Sequence, residues 1–441
     1  MTSSRIMAWA LIVTLAPPVP AVLATSSVES DAIRITALST LDKQARSRVG
    51  AKPRAPLAAE ASDLFKNLES LEAPESDPTP NYLRAVAVRP DAVKPMAHLV
   101  RTVLYSGQLE PEVKMSMGLR IAQVLESPYV AAHMQRLLRA SKRGQALLDP
   151  LKSAKFDAMR PADRLALNYA EWLTEDVHGV SDENFRTIRE YFNDAQIVEL
   201  TTTVCFFNYL IRFSEALNLP VEEWALDSTA KPAEHKYVAP LARVALISDA
   251  EMQATADMSA KFKDPKGPAA GWGIGFANSM RSMLRTPELA QAWMAYGASM
   301  RAGMKISREL QLQISFAVST ANGCRYCTLH QVLGLHRLGV DPGKLLRMQK
   351  DDTALTPQEL AAVVFARKLT RAPSSITDAD YGLLQKEFGD DGAFDVVLQT
   401  CNFAYMNRFT DGLHLPSEDE AVRVYHEVYG GDWKRSERDF R

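Results

Sequence analysis

Residues 204–220 read Val204-Cys-Phe-Phe-Asn-Tyr-Leu-Ile-Arg-Phe-Ser-Glu-Ala-Leu-Asn-Leu-Pro220, and residues 400–416 read Thr400-Cys-Asn-Phe-Ala-Tyr-Met-Asn-Arg-Phe-Thr-Asp-Gly-Leu-His-Leu-Pro416. The two stretches align without gaps at an offset of 196 residues. Self-similarity at a fixed offset is the sequence signature of a duplicated structural unit. The chain is therefore predicted to be an internal duplication.

The similarity continues upstream with a slightly different offset. A shift of 197 residues carries Asn81 onto Asn278 and His133 onto His330, so the halves differ by a single-residue insertion or deletion. We place the boundary between the halves near residue 235. The first repeat then occupies residues 25–234 and the second residues 235–441.

Helical periodicity dominates both halves. The segments 161–173 and 356–369 have a proline near the first helical position, then acidic residues, then apolar residues every three to four positions. We find no pair of segments with the alternating pattern of strands. The predicted fold is all-α, with two tandem helical bundles that pack as a pseudo-dimer.

Potentially reactive side chains are concentrated in Cys324-Arg-Tyr-Cys327, which is followed by His330. The preceding stretch, 313–323, predicts a buried helix that ends at Asn-Gly, and the Cys pair opens the next helix, predicted over Thr328 to Leu338. A helix N-terminus favours a thiolate over a thiol. Cys327 and His330 are three residues apart, so both side chains lie on one helix face, where the imidazole can exchange a proton with the sulfur.

The stretch Val318-Ser-Thr-Ala-Asn-Gly-Cys-Arg-Tyr-Cys-Thr-Leu-His330 resembles the core motif of the alkylhydroperoxidase D and carboxymuconolactone decarboxylase superfamily. The resemblance implies an all-helical subunit that works as a homo-oligomer without a cofactor or a metal. It also implies that Cys327 attacks a hydroperoxide and that Cys324 resolves the sulfenic acid as a disulfide. The oxidised pair would then need a dithiol reductant, which the sequence does not name.

Two family positions differ in this chain. The family's usual Glu, twelve residues before the first Cys, falls on Leu312, and its usual His, four after the second Cys, falls on Gln331. Neighbouring Glu309 and His330 are the candidates to serve instead. The predicted catalytic residues are therefore Cys324, Cys327, His330 and Glu309.

The first repeat has lost both thiols. The alignment places Ser127 and Val130 where the second repeat has Cys324 and Cys327, and we expect this half to supply interface and pocket walls. His133 is expected to be structural.

Other interpretations of the cysteines stay open. The Cys-x-x-Cys pair could be a permanent disulfide of a non-catalytic exported protein, or two ligands of a zinc site with His330. A lactone decarboxylase-like activity on the same scaffold is a further alternative. Cys205 and Cys401 are expected to be buried packing thiols, although a bridge between them also stays open.

Composition narrows the remaining function classes. The chain has 441 residues, 46% of them hydrophobic and 24% charged, with a formal net charge of -2, which gives no electrostatic case for nucleic acid. Residues 1–24 have the form of a cleavable signal peptide, which predicts a periplasmic or secreted protein. The apolar run from Met7 to Ala16 is too short to span a bilayer, so no membrane insertion is expected.

Overall fold

The computed structural model describes residues 35–60, 62–65, 68, 78–157, 159–226, 277–350 and 352–430. The expected signal peptide, residues 1–24, lies outside these ranges. So does the expected boundary near residue 235.

The described part of the first half is built from helices. In chain order they are α1 (Leu38–Ser47), α2 (Asn81–Val86), α3 (Pro90–Tyr105), α4 (Pro111–Val124), α5 (Pro128–Ala140), α6 (Gly144–Ser153), α7 (Pro161–Glu175), α8 (Asp182–Tyr191) and α9 (Asp194–Ala216).

The described part of the second half is helical as well. Its helices are α10 (Asn278–Met283), α11 (Pro287–Ala302), α12 (Arg308–Ala321), α13 (Arg325–Arg337), α14 (Pro342–Lys350), α15 (Pro357–Arg371), α16 (Asp378–Gly412) and α17 (Asp419–Tyr429). Across the described ranges the single β-type contact is an isolated bridge between Val49 and Val221. The all-α prediction is confirmed.

The helices of the two halves follow the same order. Pro90 and Pro287 each begin a long helix, as do Pro161 and Pro357, where the missing N–H costs nothing. Helix α16 contains Gly389 at a φ of +68°, which breaks its path at the point where α8 and α9 are separate helices in the first half. The duplication remains an interpretation of the sequence, and this shared order supports it.

The two halves pack against each other through one core. Helix α9 lies on α16, α3 lies on α11, and a continuous cluster of buried apolar side chains draws on both halves. At this interface the hydroxyls of Tyr209 and Tyr296 share a hydrogen bond, and the rings of Tyr209 and Trp293 meet edge to face with their centroids 5.8 Å apart. Burial of this extended apolar surface holds the halves together.

Two buried arginines make reciprocal contacts across the interface. Arg212 of α9 donates from Nη2 to the carbonyl of Thr370 at 2.9 Å, and Arg408 of α16 donates from Nη2 to the carbonyl of Thr174 at 3.0 Å. Burial lowers the pKa of both guanidinium groups. The two contacts involve aligned residues of the two halves, and they tie each long helix to the opposite half.

Within the described ranges, no helix combines the length and apolar character needed to cross a membrane.

Candidate functional site

A tight turn between α12 and α13 presents the Cys pair. Gly323 has a φ of +71°, a left-handed conformation that glycine adopts without steric cost. Cys324 follows as the N-cap of α13, and its sulfur accepts a hydrogen bond from the backbone N–H of Cys327 at 3.4 Å. Because this sulfur caps the helix, α13 begins at Arg325, three residues before the start predicted from the sequence.

The first half has the same cap without the thiols. Ser127 precedes α5, and its Oγ accepts from the backbone N–H of Val130 at 3.4 Å. Serine is a preferred N-cap residue, so the local fold persists where the chemistry is absent.

Both thiols of the second half are buried and reach one hydroxyl. Cys324 is 0% exposed and Cys327 3% exposed, and the Oγ of Thr410 lies 3.4 Å from each sulfur. Thr410 belongs to the last turn of α16, within residues 400–416, which align with residues 204–220 of the first half. Residues 400–416 therefore contribute one wall of the thiol site.

The two sulfurs have different roles in the hydrogen-bond network. The pKa of the Cys324 thiol lies well above its usual range, first because the group is buried, and second because it is hydrogen-bonded to the Cys327 sulfur. Cys324 therefore keeps its proton at neutral pH. A protonated Cys324 suits the resolving role that the family resemblance implies for it.

All four cysteines have free thiols in this structure. Cys205 and Cys401 are buried in α9 and α16. Burial raises the pKa of both groups, as expected of unreactive packing thiols. Within the described ranges, no group of three or more His, Cys, Asp or Glu side chains is arranged to hold a metal ion, so the zinc alternative gains no support there.

His330 is held from both sides of its ring. Nδ1 donates to the carbonyl of Tyr326 at 2.6 Å, and Nε2 lies 2.7 Å from a carboxylate oxygen of Glu418. Glu418 also accepts from the Tyr326 hydroxyl at 2.9 Å and from the backbone N–H of Asn278 at 2.6 Å. These contacts hinder a direct exchange of protons with Cys327, and the catalytic role of His330 stays a prediction.

The same arrangement occurs in the half without thiols. Nε2 of His133 lies 3.0 Å from Glu222, which also accepts from the Tyr129 hydroxyl at 3.0 Å. The backbone N–H of Asn81 donates to Glu222 as well. The same contacts therefore join α2 to α5 in the first half and α10 to α13 in the second. They form whether or not the turn before the second helix carries cysteines.

The other family positions are occupied by packing residues. Leu312 is buried, and Gly334 of α13 leaves space for it, since a Cβ there would lie 3.1 Å from the leucine side chain. Gln331 is buried and donates from Nε2 to the carbonyl of Cys327 at 3.3 Å. Glu309 accepts from Lys344 at 2.8 Å and Gln313 at 3.0 Å, and neither contact joins it to a thiol.

Asn407 of α16 supports the turn that presents the Cys pair. Its Oδ1 accepts from the side chain of Asn322 at 2.8 Å, and its Nδ2 donates to Ser319 at 3.1 Å. This bridge fixes the residues that lead into Gly323.

Sequence reasoning missed four residues near the motif: Thr410, Asp411, Glu418 and His178. The duplicated stretch carried a signal for two of them, because Thr410-Asp411 aligns with Ser214-Glu215, a hydroxyl and a carboxylate in both halves. His178 belongs to the first half and carried no such signal.

Matched variants test the paired histidine contacts. His330→Ala and His133→Ala should each lower the free energy of unfolding by about 1–3 kcal/mol, because each removes the histidine partner of a partly buried glutamate. Denaturant unfolding of both variants measures this. A loss at only one site would contradict the structural equivalence. A peroxide-dependent rate that falls about 10²-fold in His330→Ala alone would instead support the predicted acid/base role.

The sequence of the second half matches a known family. Residues 287–368 match the model of the carboxymuconolactone decarboxylase family. This segment of the chain is similar in sequence to that family. The match runs from the start of α11 into α15, so it includes the Cys pair and confirms the resemblance drawn from residues 318–330.

Solved structures that match part of this chain include two of the debrominase Bmp8. One is a cysteine-to-alanine variant in complex with 2,3,4-tribromopyrrole, with 18% identity and a TM-score of 0.37, covering 42% of this chain and 95% of that chain. The other is the apo form, with 19% identity and a TM-score of 0.37, covering 42% of this chain and 96% of that chain. Among curated proteins, none matches this chain.

Proposed function

We propose that this carboxymuconolactone decarboxylase-family chain is a thiol-dependent hydroperoxide reductase that works through the Cys324–Cys327 pair. One observation carries the proposal: two buried thiols, those of Cys324 and Cys327, each lie 3.4 Å from the Thr410 hydroxyl. Such a pair can supply an attacking sulfur and a resolving sulfur at one site.

The reaction balances with these two groups. The Cys327 thiolate attacks the distal oxygen of a hydroperoxide and the O–O bond breaks. The departing alkoxide or hydroxide takes one proton from solvent and leaves as alcohol or water. Cys327 is then a sulfenic acid. Cys324 attacks that sulfur, a disulfide forms, and the sulfenic oxygen leaves as water.

Turnover needs two electrons from outside the chain. An external dithiol would reduce the Cys324–Cys327 disulfide by exchange. We propose a dedicated dithiol donor, in keeping with a periplasmic or secreted location, where the general environment is oxidising. We also propose that the pseudo-dimeric chain assembles as a homo-oligomer.

Steady-state peroxide consumption tests the proposal. The reduced full-length protein should consume hydrogen peroxide or an organic hydroperoxide continuously when dithiothreitol is present, and only about one equivalent per chain when it is absent. A pair that resists reduction and consumes no peroxide would instead support the structural-disulfide alternative.

A further inference from the structure

Asp411 is a buried carboxyl group beside the thiol pair. It follows Thr410 in the last turn of α16 and is 9% exposed. Its neighbour Thr410 has its Oγ 3.4 Å from the Cys324 sulfur, and the Oδ2 atom of Asp411 is buried without a hydrogen-bond partner among the described residues. A carboxyl group with one free oxygen next to a thiol can take up and return a proton.

The first half contributes to the surroundings of Asp411. After α7 the chain passes over the Cys-motif turn, where Nε2 of His178 lies 3.1 Å from the carbonyl of Gly323. The backbone N–H of His178 donates to Asp176 at 2.9 Å. The thiol site is therefore built from both halves.

Several charges act on the Asp411 carboxyl group. Burial is the largest influence and raises its pKa to about 7. His178 and the Cys324 hydrogen bond lower this pKa, Asp176 raises it, and Arg408 of the same helix lowers it. The group therefore changes protonation state near neutral pH.

The equivalent carboxylate of the first half, Glu215, is paired with an arginine instead. Glu215 accepts from the Oγ of the cap residue Ser127 at 2.7 Å, and Asp411 and Cys324 are the aligned residues of the second half. However, Glu215 also forms an ion pair with Arg48 at 2.6 Å. No such ion pair holds Asp411 within the described ranges, so its negative charge is not fixed in the same way.

We infer that Asp411 is a catalytic proton carrier for Cys324 in the disulfide-forming step, at a site that His178 of the first half completes. The inference rests on the proposed function of the thiol pair. Asp411 takes the proton of Cys324 as that sulfur attacks the sulfenic acid of Cys327. It then gives this proton to the departing hydroxide, which leaves as water, so the carboxylate is regenerated and one disulfide has formed.

The direction of the pH dependence follows from the protonation state required. Only ionised Asp411 can accept the proton, so the rate of disulfide formation should rise with pH through about 7. His178 is a positioning residue that lowers the pKa of Asp411. Its removal should move the midpoint of this rise to higher pH.

The test separates the two steps in the full-length protein. Reduced protein is mixed with one equivalent of hydrogen peroxide, and peroxide loss and disulfide formation are followed by rapid quenching, alkylation and mass spectrometry. Asp411→Asn should consume peroxide within about 2-fold of the wild-type rate, yet form the disulfide about 10²-fold more slowly and without the pH dependence. Asp411→Glu should restore part of the rate, and His178→Ala should raise the pH midpoint.

Glu215→Gln is the matched control, because it removes the equivalent carboxylate of the first half. It should leave the rate and pH profile of disulfide formation unchanged in protein whose folding is verified by its unfolding transition. Wild-type rates and pH dependence in Asp411→Asn would overturn the inference. So would an equal slowing in Glu215→Gln.

A second oxidant distinguishes failure of the inference from failure of the proposed function. Hydroxyethyl disulfide forms a mixed disulfide at Cys327, which Cys324 then displaces with release of mercaptoethanol, so no peroxide is involved. If the wild type ignores peroxide but Asp411→Asn still slows this displacement about 10²-fold, the proposed function fails and the proton-carrier role stands. Normal displacement in Asp411→Asn rejects the role.

Discussion

Cys327→Ser should abolish peroxide consumption. A serine hydroxyl is not ionised at neutral pH and has no oxidation chemistry with peroxide, so the rate should fall by about 10³-fold or more, to the uncatalysed background. The same turn should form, because the cap sulfur belongs to Cys324 and the first half builds the same turn with Val130 at this position. Peroxide loss measured with dithiothreitol as donor checks the prediction, with the unfolding transition as a test of folding.

Cys324→Ser is the matched comparison, since serine already occupies the equivalent cap position, Ser127, in the first half. This variant should react with one equivalent of peroxide and stop at a sulfenic acid on Cys327, which dimedone would trap. Peroxide turnover that survives Cys327→Ser would remove the nucleophile assignment. Equal loss of the first oxidation step in both variants would show that the sulfurs have no separate roles.

A fragment of residues 235–441 should not behave as the intact chain does. Alone, it would expose the face of α16 that packs on α9 and the face of α11 that packs on α3. Trp293 and Tyr296 would lose Tyr209, and Arg408 would lose the carbonyl of Thr174. We expect aggregation or self-dimerisation, because exposed apolar surface of this kind associates with other apolar surface in water.

Size-exclusion chromatography with light scattering checks this expectation, and the full-length chain is the control. A stable fragment monomer with full peroxidase activity would contradict it. That result would show that the first half is dispensable and that His178 contributes nothing to the site.

Much of the fold followed from the sequence because its signals are local or repeated. Proline at the first helical position and apolar spacing of three to four residues marked helices such as α7 and α15. The duplicated stretch at 204–220 and 400–416 corresponds to the paired helices α9 and α16 that form the interface. The start of α13 was predicted three residues late, because a cysteine serves as its cap.

The site itself was less accessible to sequence reasoning. The Cys pair was visible as a motif, but Asp411 and His178 are distant from it in the chain and reach it only through packing of α16 and of the first half. Spacing along a helix placed His330 on the face of Cys327. Its contact with Glu418 depends instead on the N-cap residue of α17, far downstream in the chain. Helical spacing alone does not specify such tertiary contacts.

The half without thiols gains a specific role from these contacts. It keeps the cap at Ser127 and the Glu222 contacts of His133, so it retains the local fold of the motif. Through His178 it also reaches the turn at Gly323. Loss of its own thiols is compatible with a continued contribution to the remaining site.

Peptide mapping of the peroxide-treated full-length protein tests the central claim most directly. Reduced protein is treated with one equivalent of peroxide, the remaining thiols are alkylated, and the peptides are identified by mass spectrometry. The account predicts a disulfide joining Cys324 to Cys327, reversible by dithiothreitol, with Cys205 and Cys401 retained as thiols. A pair that stays reduced while peroxide disappears, or oxidation located at Cys205 and Cys401, would contradict it.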